Sequence, residues 1–471
     1  GHHAILKDGV VVVEGDRVLH VGPSFDGPVD RTLDAQGKLV SPGFINIHGV
    51  ANIDIQTLTL DAKRDGLMTT PAYALHGKGD YELLGQRLKT SALFSLVQFL
   101  KGGATTIVEI TTMAPSRFEV PRDEAPTLAE TAGELGARIY VSHKFRAGKR
   151  YLKPDGVMDY HWDEEAARAA LQYGIEVCQK YEGAYNDRIR TMLFPYQYDA
   201  CSKDLLMEVK RAARELGVPV HMHTSQSLFE FHDSLRRYGK TPVQLLDSIG
   251  FLDERTIITH LIFTTLHPAS GFPKDNDSDL RLVAASGATV AHDPLVYARS
   301  GKALRSFARY RQAGINVAIG TDTWPQDMIT EMRWAALGCK WTDRDANRGS
   351  AREVFNAATL GGAKALGRDD LGRLTPGAKA DLLIVDFTRL HIGPVDDPIK
   401  TLVYASKGTD IETVMVDGKI VVQNGQVAGV DEAKLIAQAT EAHLWQKGRF
   451  TAEHPSGAPM EELFPPTYPV K

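Results

Sequence analysis

Three histidines and an aspartate, each at the end of a short apolar, β-branched run, could together hold one divalent transition metal. His48 closes SPGFINIH, His223 sits in VPVHMHTSQ, His260 closes TIITH and Asp322 closes NVAIGTD. Neutral imidazoles with one carboxylate suit zinc, iron, cobalt or manganese. An ion held this way can lower the pKa of its water to about 7 and supply a hydrolytic nucleophile. A lone strand-end histidine is more often a hydrogen-bonded core residue; four candidates at four strand ends point to a metal.

Ligands at separate strand ends need a scaffold that brings those ends together. Eight runs have strand character: 43–48, 104–111, 138–145, 189–194, 218–223, 256–262, 288–292 and 316–321. Helical periodicity separates most of them. KDLLMEVKRAARELG has apolar residues three and four apart and a glycine placed to cap it, and AARAALQYGIEVCQKY is similar. This alternation predicts an α/β fold, a (β/α)8 TIM-type barrel over 43–370 with its site at the C-terminal strand ends. Residues 1–42 and 371–430 instead carry short β-branched runs broken by Gly, Asp-Gly and Asn-Gly turns. They predict one small β-sandwich formed from both stretches, with the barrel inserted between them. Residues 431–471 hold one helical run, DEAKLIAQATEAHLWQKG, and a proline-rich tail.

Bulk properties exclude several classes. The 471 residues carry a formal net charge of −5, which gives no electrostatic case for nucleic acid or an anionic membrane. No apolar run reaches membrane-spanning length and no signal peptide is evident. Cys178, Cys201 and Cys339 show no metal-type or redox-type spacing, so a reducing, cytoplasmic setting is expected.

Several motifs together resemble the amidohydrolase superfamily, in the branch of chlorohydrolases and adenosine or methylthioadenosine deaminases. They are PGFINIH, VPVHMHTSQS, GTDTWPQDMITEMRWAALGCK, NAATLGGAKALG and LGRLTPGAKADLLIVD. Three departures from that branch carry chemical information. Its first strand usually ends His-x-His; here His48 is followed by Val50, while Asn46 precedes it, giving Asn-x-His. Asn46 is either a ligand or a hydrogen-bonding support. The deaminases place a proton-shuttling Glu where this chain has Gln226, and an amide cannot take up and release a proton at neutral pH. The strand-4 run IRTMLFPYQ offers no lysine or glutamate to bridge two ions, so one ion is expected.

With these losses the chain looks more like the phenylurea hydrolases and the thiocarbamate (molinate) hydrolase. That resemblance implies a mononuclear hydrolase of an N-substituted urea, carbamate or thiocarbamate, a small hydrophobic substrate, and a homo-oligomer. Asp322 would be the general base, with the ion or His260 stabilising the oxyanion. An aminohydrolase of a purine, pyrimidine or triazine is the alternative. A non-catalytic binding protein on a decayed barrel is a third reading, disfavoured by the ligands that are present.

The remaining candidates are open. His221 shares a strand face with His223 and is either a ligand or support. Gln226, Arg146 and Trp324 are expected to bind substrate, Gln226 by orienting a carbonyl. Arg146 and Lys144 could equally be a solvated basic loop, and Trp324 and Phe194 plain packing. His292 is a pocket residue or an ordinary strand-end histidine, and Cys201 is expected to be inert.

Overall fold

The computed structural model describes residues 3–53, 70–71, 85–110, 122–153, 155, 157–304, 306–453 and 457–468. The last residue of the expected strand 104–111, Thr111, lies outside them. All eight expected strands are present: β1 Phe44–Gly49, β2 Ala104–Glu109, β3 Arg138–Val141, β4 Ile189–Thr191, β5 Val220–Thr224, β6 Thr256–His260, β7 Thr289–His292 and β8 Asn316–Ile319. A helix follows each, from Gly85–Lys101 after β1 to Met328–Asp343 after β8. Lys203–Leu216 is capped at its start by Ser202, which accepts from the Leu205 N–H, and ends on Gly217 at φ 69°.

The strands pair in parallel as two four-stranded sheets, β4-β3-β2-β1 and β5-β6-β7-β8. A single closed eight-stranded ladder was expected, and the hydrogen bonding departs from it. The sheets meet at two seams through isolated bridges, Leu193↔Val220 and Gln197↔His223 on one side and Gly49↔Asp322 on the other. The physical reason lies in the local chain. β4 is only three residues long, with Pro195 soon after it, and past β8 the backbone turns into the left-handed region at Asp322.

Alternation along the strands sorts their side chains into two clusters. Ile107, Ile139, Val141, Ile258, Val290 and Val317 pack in the larger cluster, which also takes in residues of the helices. Ile45, Val108, Tyr140, Ile257, Ala291 and Ala318, drawn from both sheets, share a second one. The strands are buried almost throughout, as parallel strands covered on both faces require.

Residues from the two terminal stretches share a sheet. Lys38–Pro42 lies antiparallel to Leu382–Asp386, at the edge of a five-stranded sheet that continues through Ile411–Val416, Lys419–Gln423 and Gln426–Val427. The Asp417-Gly418 and Asn424-Gly425 turns take positive φ at both residues, as tight hairpin turns demand. A second antiparallel pair, Val10–Glu14 with Arg17–Gly22, contributes Val11, Val13 and Val18 to a core shared with Leu382, Ile384 and Met415. Arg138, fully buried at the start of β3, pairs with Asp381 and Asp417 and so joins this layer to the parallel strands. The C-terminal helical run forms Glu432–Glu453, held to helix Gly85–Lys101 by Lys101–Glu432 at 2.7 Å and by Arg87 over Trp445. Among the described residues no helix is long and apolar enough to cross a membrane.

One element was not expected. After β3 the basic stretch forms an antiparallel hairpin, Gly148–Leu152 with Met158–Trp162. Arg150 is not solvated: its guanidinium pairs with the buried carboxylate of Asp199.

Candidate metal centre

The ends of β1, β5, β6 and the turn after β8 converge. His48, His223 and His260 offer ligand atoms within 4.8 Å of one another, and so do His48, His260, Asp293 and Asp322. Asp322 Oδ2 lies 4.0 Å from His48 Nε2 and 3.9 Å from His260 Nε2. The local backbone explains how they get there. The β1–β2 register shifts between Asn46 and Gly49, an irregularity that re-aims His48 at the strand end. His260 and Asp322 both take positive φ (75° and 52°), which only surrounding structure can hold in non-glycine residues. Gly320 is needed for the close approach: a Cβ there would lie 2.4 Å from Asp293 Oδ1 and 2.7 Å from the His48 carbonyl oxygen.

The partners behind the rings set their tautomers. His223 Nδ1 donates to the Tyr196 carbonyl at 2.6 Å, which leaves its Nε2 lone pair free. His260 Nδ1 lies 3.0 Å from Asp293 Oδ2. His48 Nδ1 lies 3.1 Å from His221 Nε2. The buried Nε2 of His48 and both ring nitrogens of His260 make no hydrogen bond, so the Asp293 carboxyl lies close to His260 outside hydrogen-bond geometry. Burial holds all four imidazoles well below their usual pKa, and neighbouring histidines add to the effect on His48, His221 and His223. Orphaned, neutral, convergent nitrogens beside a carboxylate are what a divalent ion requires. The donor set therefore fits one ion, and among the described residues it is a single connected cluster.

Asn46 and His221 lie behind this cluster rather than in it. Asn46 Nδ2 donates to Thr321 Oγ1 at 2.8 Å, and its Oδ1 accepts from the N–H groups of Thr321 (3.1 Å) and His48 (3.3 Å). His221 supports His48 and is itself bonded to Thr259.

The expected substrate residues are dispersed around the mouth. The Gln226 N–H donates to Glu230 at 2.9 Å, and its side chain lies beside Tyr297. Arg146 and Lys144 both sit over the Tyr196 ring, whose edge meets His223. Burial depresses the Lys144 amine to about 8. Phe194 packs against His221 and His223. Trp324 is 51% exposed, and its carbonyl accepts from Arg299. His292 turns to Phe307, and Cys201 is buried.

Two residues of the centre were missed. Asp293 directly follows β7 in AHDP, and the strand-end logic that selected Asp322 also applies to it. Tyr297, in helix Pro294–Ala298, lays its ring against His260 with centroids 4.7 Å apart. Nothing in the local sequence signals that placement.

Comparison with known proteins agrees with this architecture. The chain is 31% identical over 435 residues to a 5-methylthioadenosine/S-adenosylhomocysteine deaminase of Natronomonas pharaonis, covering 91% of each chain. It is 29% identical to a 5'-deoxyadenosine deaminase of Methanosarcina mazei, covering 93% of each. Its fold resembles a zinc-bound adenosine deaminase from Xanthomonas campestris (TM-score 0.75, 24% identity, 95% of each chain). It also resembles a zinc complex of an atrazine chlorohydrolase from Arthrobacter aurescens (TM-score 0.74, 22% identity, 93% of this chain and 96% of that one). The model of the amidohydrolase family matches residues 39–421, which take in all eight parallel strands and most of the terminal sheet, and the chain belongs to that family.

Proposed function

We propose that this hydrolase holds one divalent ion on His48, His223, His260 and Asp322 and cleaves the carbonyl C–N or C–S bond of a small N-substituted urea, carbamate or thiocarbamate. The observation that carries the substrate class is the surroundings of Gln226. Ring deamination needs a carboxyl that passes a proton to the heteroaromatic nitrogen, and the amide cannot. Glu230, nearby, does not replace it: its two oxygens accept from the N–H groups of Ser225 and Gln226 at 2.7 and 2.9 Å.

When bound, the ion supplies a water acidic enough to ionise near neutral pH and a Lewis acid for the carbonyl. Asp322 takes the proton of the attacking water and returns it to the leaving nitrogen or sulfur. His260 serves as a ligand through its buried Nε2, which has no hydrogen-bond partner and lies 3.9 Å from Asp322. Gln226 orients the carbonyl from the side of β5, and Arg146 and Trp324 border the entrance. The two parallel sheets and their bridged seams act as one (β/α)8 barrel over 43–370, with 1–42 and 371–430 as the smaller unit and 431–471 as the appended tail.

The second reading is an aminohydrolase of an adenosine-type ring. Similarity along nine-tenths of the chain to deaminases supports it, and on resemblance alone it is the better supported substrate class. One set of assays separates the two. Purified protein of known metal content is offered a dimethyl phenylurea, an S-alkyl thiocarbamate and 5'-deoxyadenosine. Release of aniline or thiol at about one metal per chain is the expected result. Ammonia from the nucleoside, with neither other product, would replace this reading by the second.

A further inference from the structure

Tyr297 is a buried group that the mechanism above leaves unused. Its ring is 8% exposed and packs in an apolar cluster with Phe231, Ile262 and Phe263, while its edge meets His260. Its hydroxyl is buried and makes no hydrogen bond of ordinary length among the described residues. The Gln226 side chain is placed to bond it, and Asp322 is a charged neighbour. A hydroxyl in such a wall is costly unless something arrives to pair with it. The phenyl ring alone would fill the apolar cluster equally well.

We propose that the Tyr297 hydroxyl is a catalytic hydrogen-bond donor, steered by Gln226, to the oxygen that gains charge when the substrate carbonyl is attacked. The inference rests on the carbonyl-hydrolase reading given above. The donor is pre-placed in a water-poor wall, so it stabilises developing charge with little reorganisation. Gln226 and Tyr297 then form one polar edge with Asp322 beside it: the amide orients the ground-state carbonyl and the phenol meets the charge that develops on it. No covalent bond to Tyr297 forms and its proton stays on oxygen.

Tyr297→Phe in the full chain tests this, because it keeps the ring and its packing. Metal content and thermal midpoint should match the parent protein. The expected losses are about 100-fold in kcat, with KM little changed, and about 100-fold in affinity for phenyl phosphorodiamidate, a tetrahedral mimic of the carbonyl under attack. Less than about a tenfold change in both kcat and probe affinity would overturn the proposal, as would loss of metal from the variant. If the parent protein releases only ammonia from 5'-deoxyadenosine, the substrate reading has failed and this role falls with it, because the ring carbon attacked there carries no carbonyl oxygen. A parent that releases aniline or thiol while Tyr297→Phe keeps its rate overturns the role of Tyr297 alone, so the two failures remain distinct.

Discussion

Removing the carboxylate behind His260 tests how the centre is assembled. Asp293 is fully buried, with Oδ2 3.0 Å from His260 Nδ1, while the opposite ring nitrogen lies 3.9 Å from Asp322. A carboxylate at Nδ1 keeps the proton there and makes the Nε2 lone pair more basic. Such partners typically contribute 10- to 100-fold in metal affinity, or about 1.4–2.7 kcal/mol. Asp293→Asn retains an acceptor and loses the charge, so it should sit near the tenfold end. Asp293→Ala removes both the charge and the carboxyl packed beside the ring, and should sit near 100-fold. Competition against a chromophoric chelator gives the affinities, and thermal unfolding of the metal-free variants checks the fold. If both variants bind metal within about twofold of the parent, the orienting role is refuted.

Two further outcomes follow from residues around the centre. Asn46→Ala removes the acceptor for the buried N–H groups of Thr321 and His48, at about 1–3 kcal/mol each. Chemical denaturation should show that loss with metal stoichiometry unchanged; lost metal at unchanged stability would make Asn46 a ligand instead. His143 is held near 3, chiefly by burial and then by the charges of Lys144 and Arg122. Its neutral form adds stability above the unfolded value of about 6.5, and that stability is lost as pH falls toward 3, by about 1.4 kcal/mol per unit. In His143→Phe the acid limb should be shallower by that slope, whereas parallel curves for parent and variant would remove His143 from the acid response.

What was legible in the sequence is what depends on local chemistry. A β-branched run ending in a histidine or aspartate announces both a strand and its functional end, so all eight strands and the convergence of His48, His223, His260 and Asp322 could be anticipated. The Asp-Gly and Asn-Gly turns announced the terminal sheet in the same way. What was missed depends on neighbours distant in sequence. His292 occupied the obvious strand-end slot of β7, yet it turns to Phe307, and the next residue, on the opposite face, meets His260. Tyr297 matters only through the spacing of β6 and β7. The pairing of Arg150 was not legible, because its partner Asp199 lies 49 residues further along the chain. The ladder breaks at the two seams because of strand length and backbone turns, which a hydrophobic pattern does not encode.

The pairing of Lys38–Pro42 with Leu382–Asp386 also bears on how the molecule is made. Lys38 meets Glu412 in the same sheet, 374 positions further along the chain. At roughly 5–20 residues per second, a ribosome needs on the order of 20–75 s to bridge that gap. For most of that time, until Leu382–Asp386 is made, the early strand lacks its partner and presents an open edge of the kind that invites wrong pairing. The small sheet therefore stays unfinished until the whole parallel-strand region, which lies between its strands in sequence, has been made.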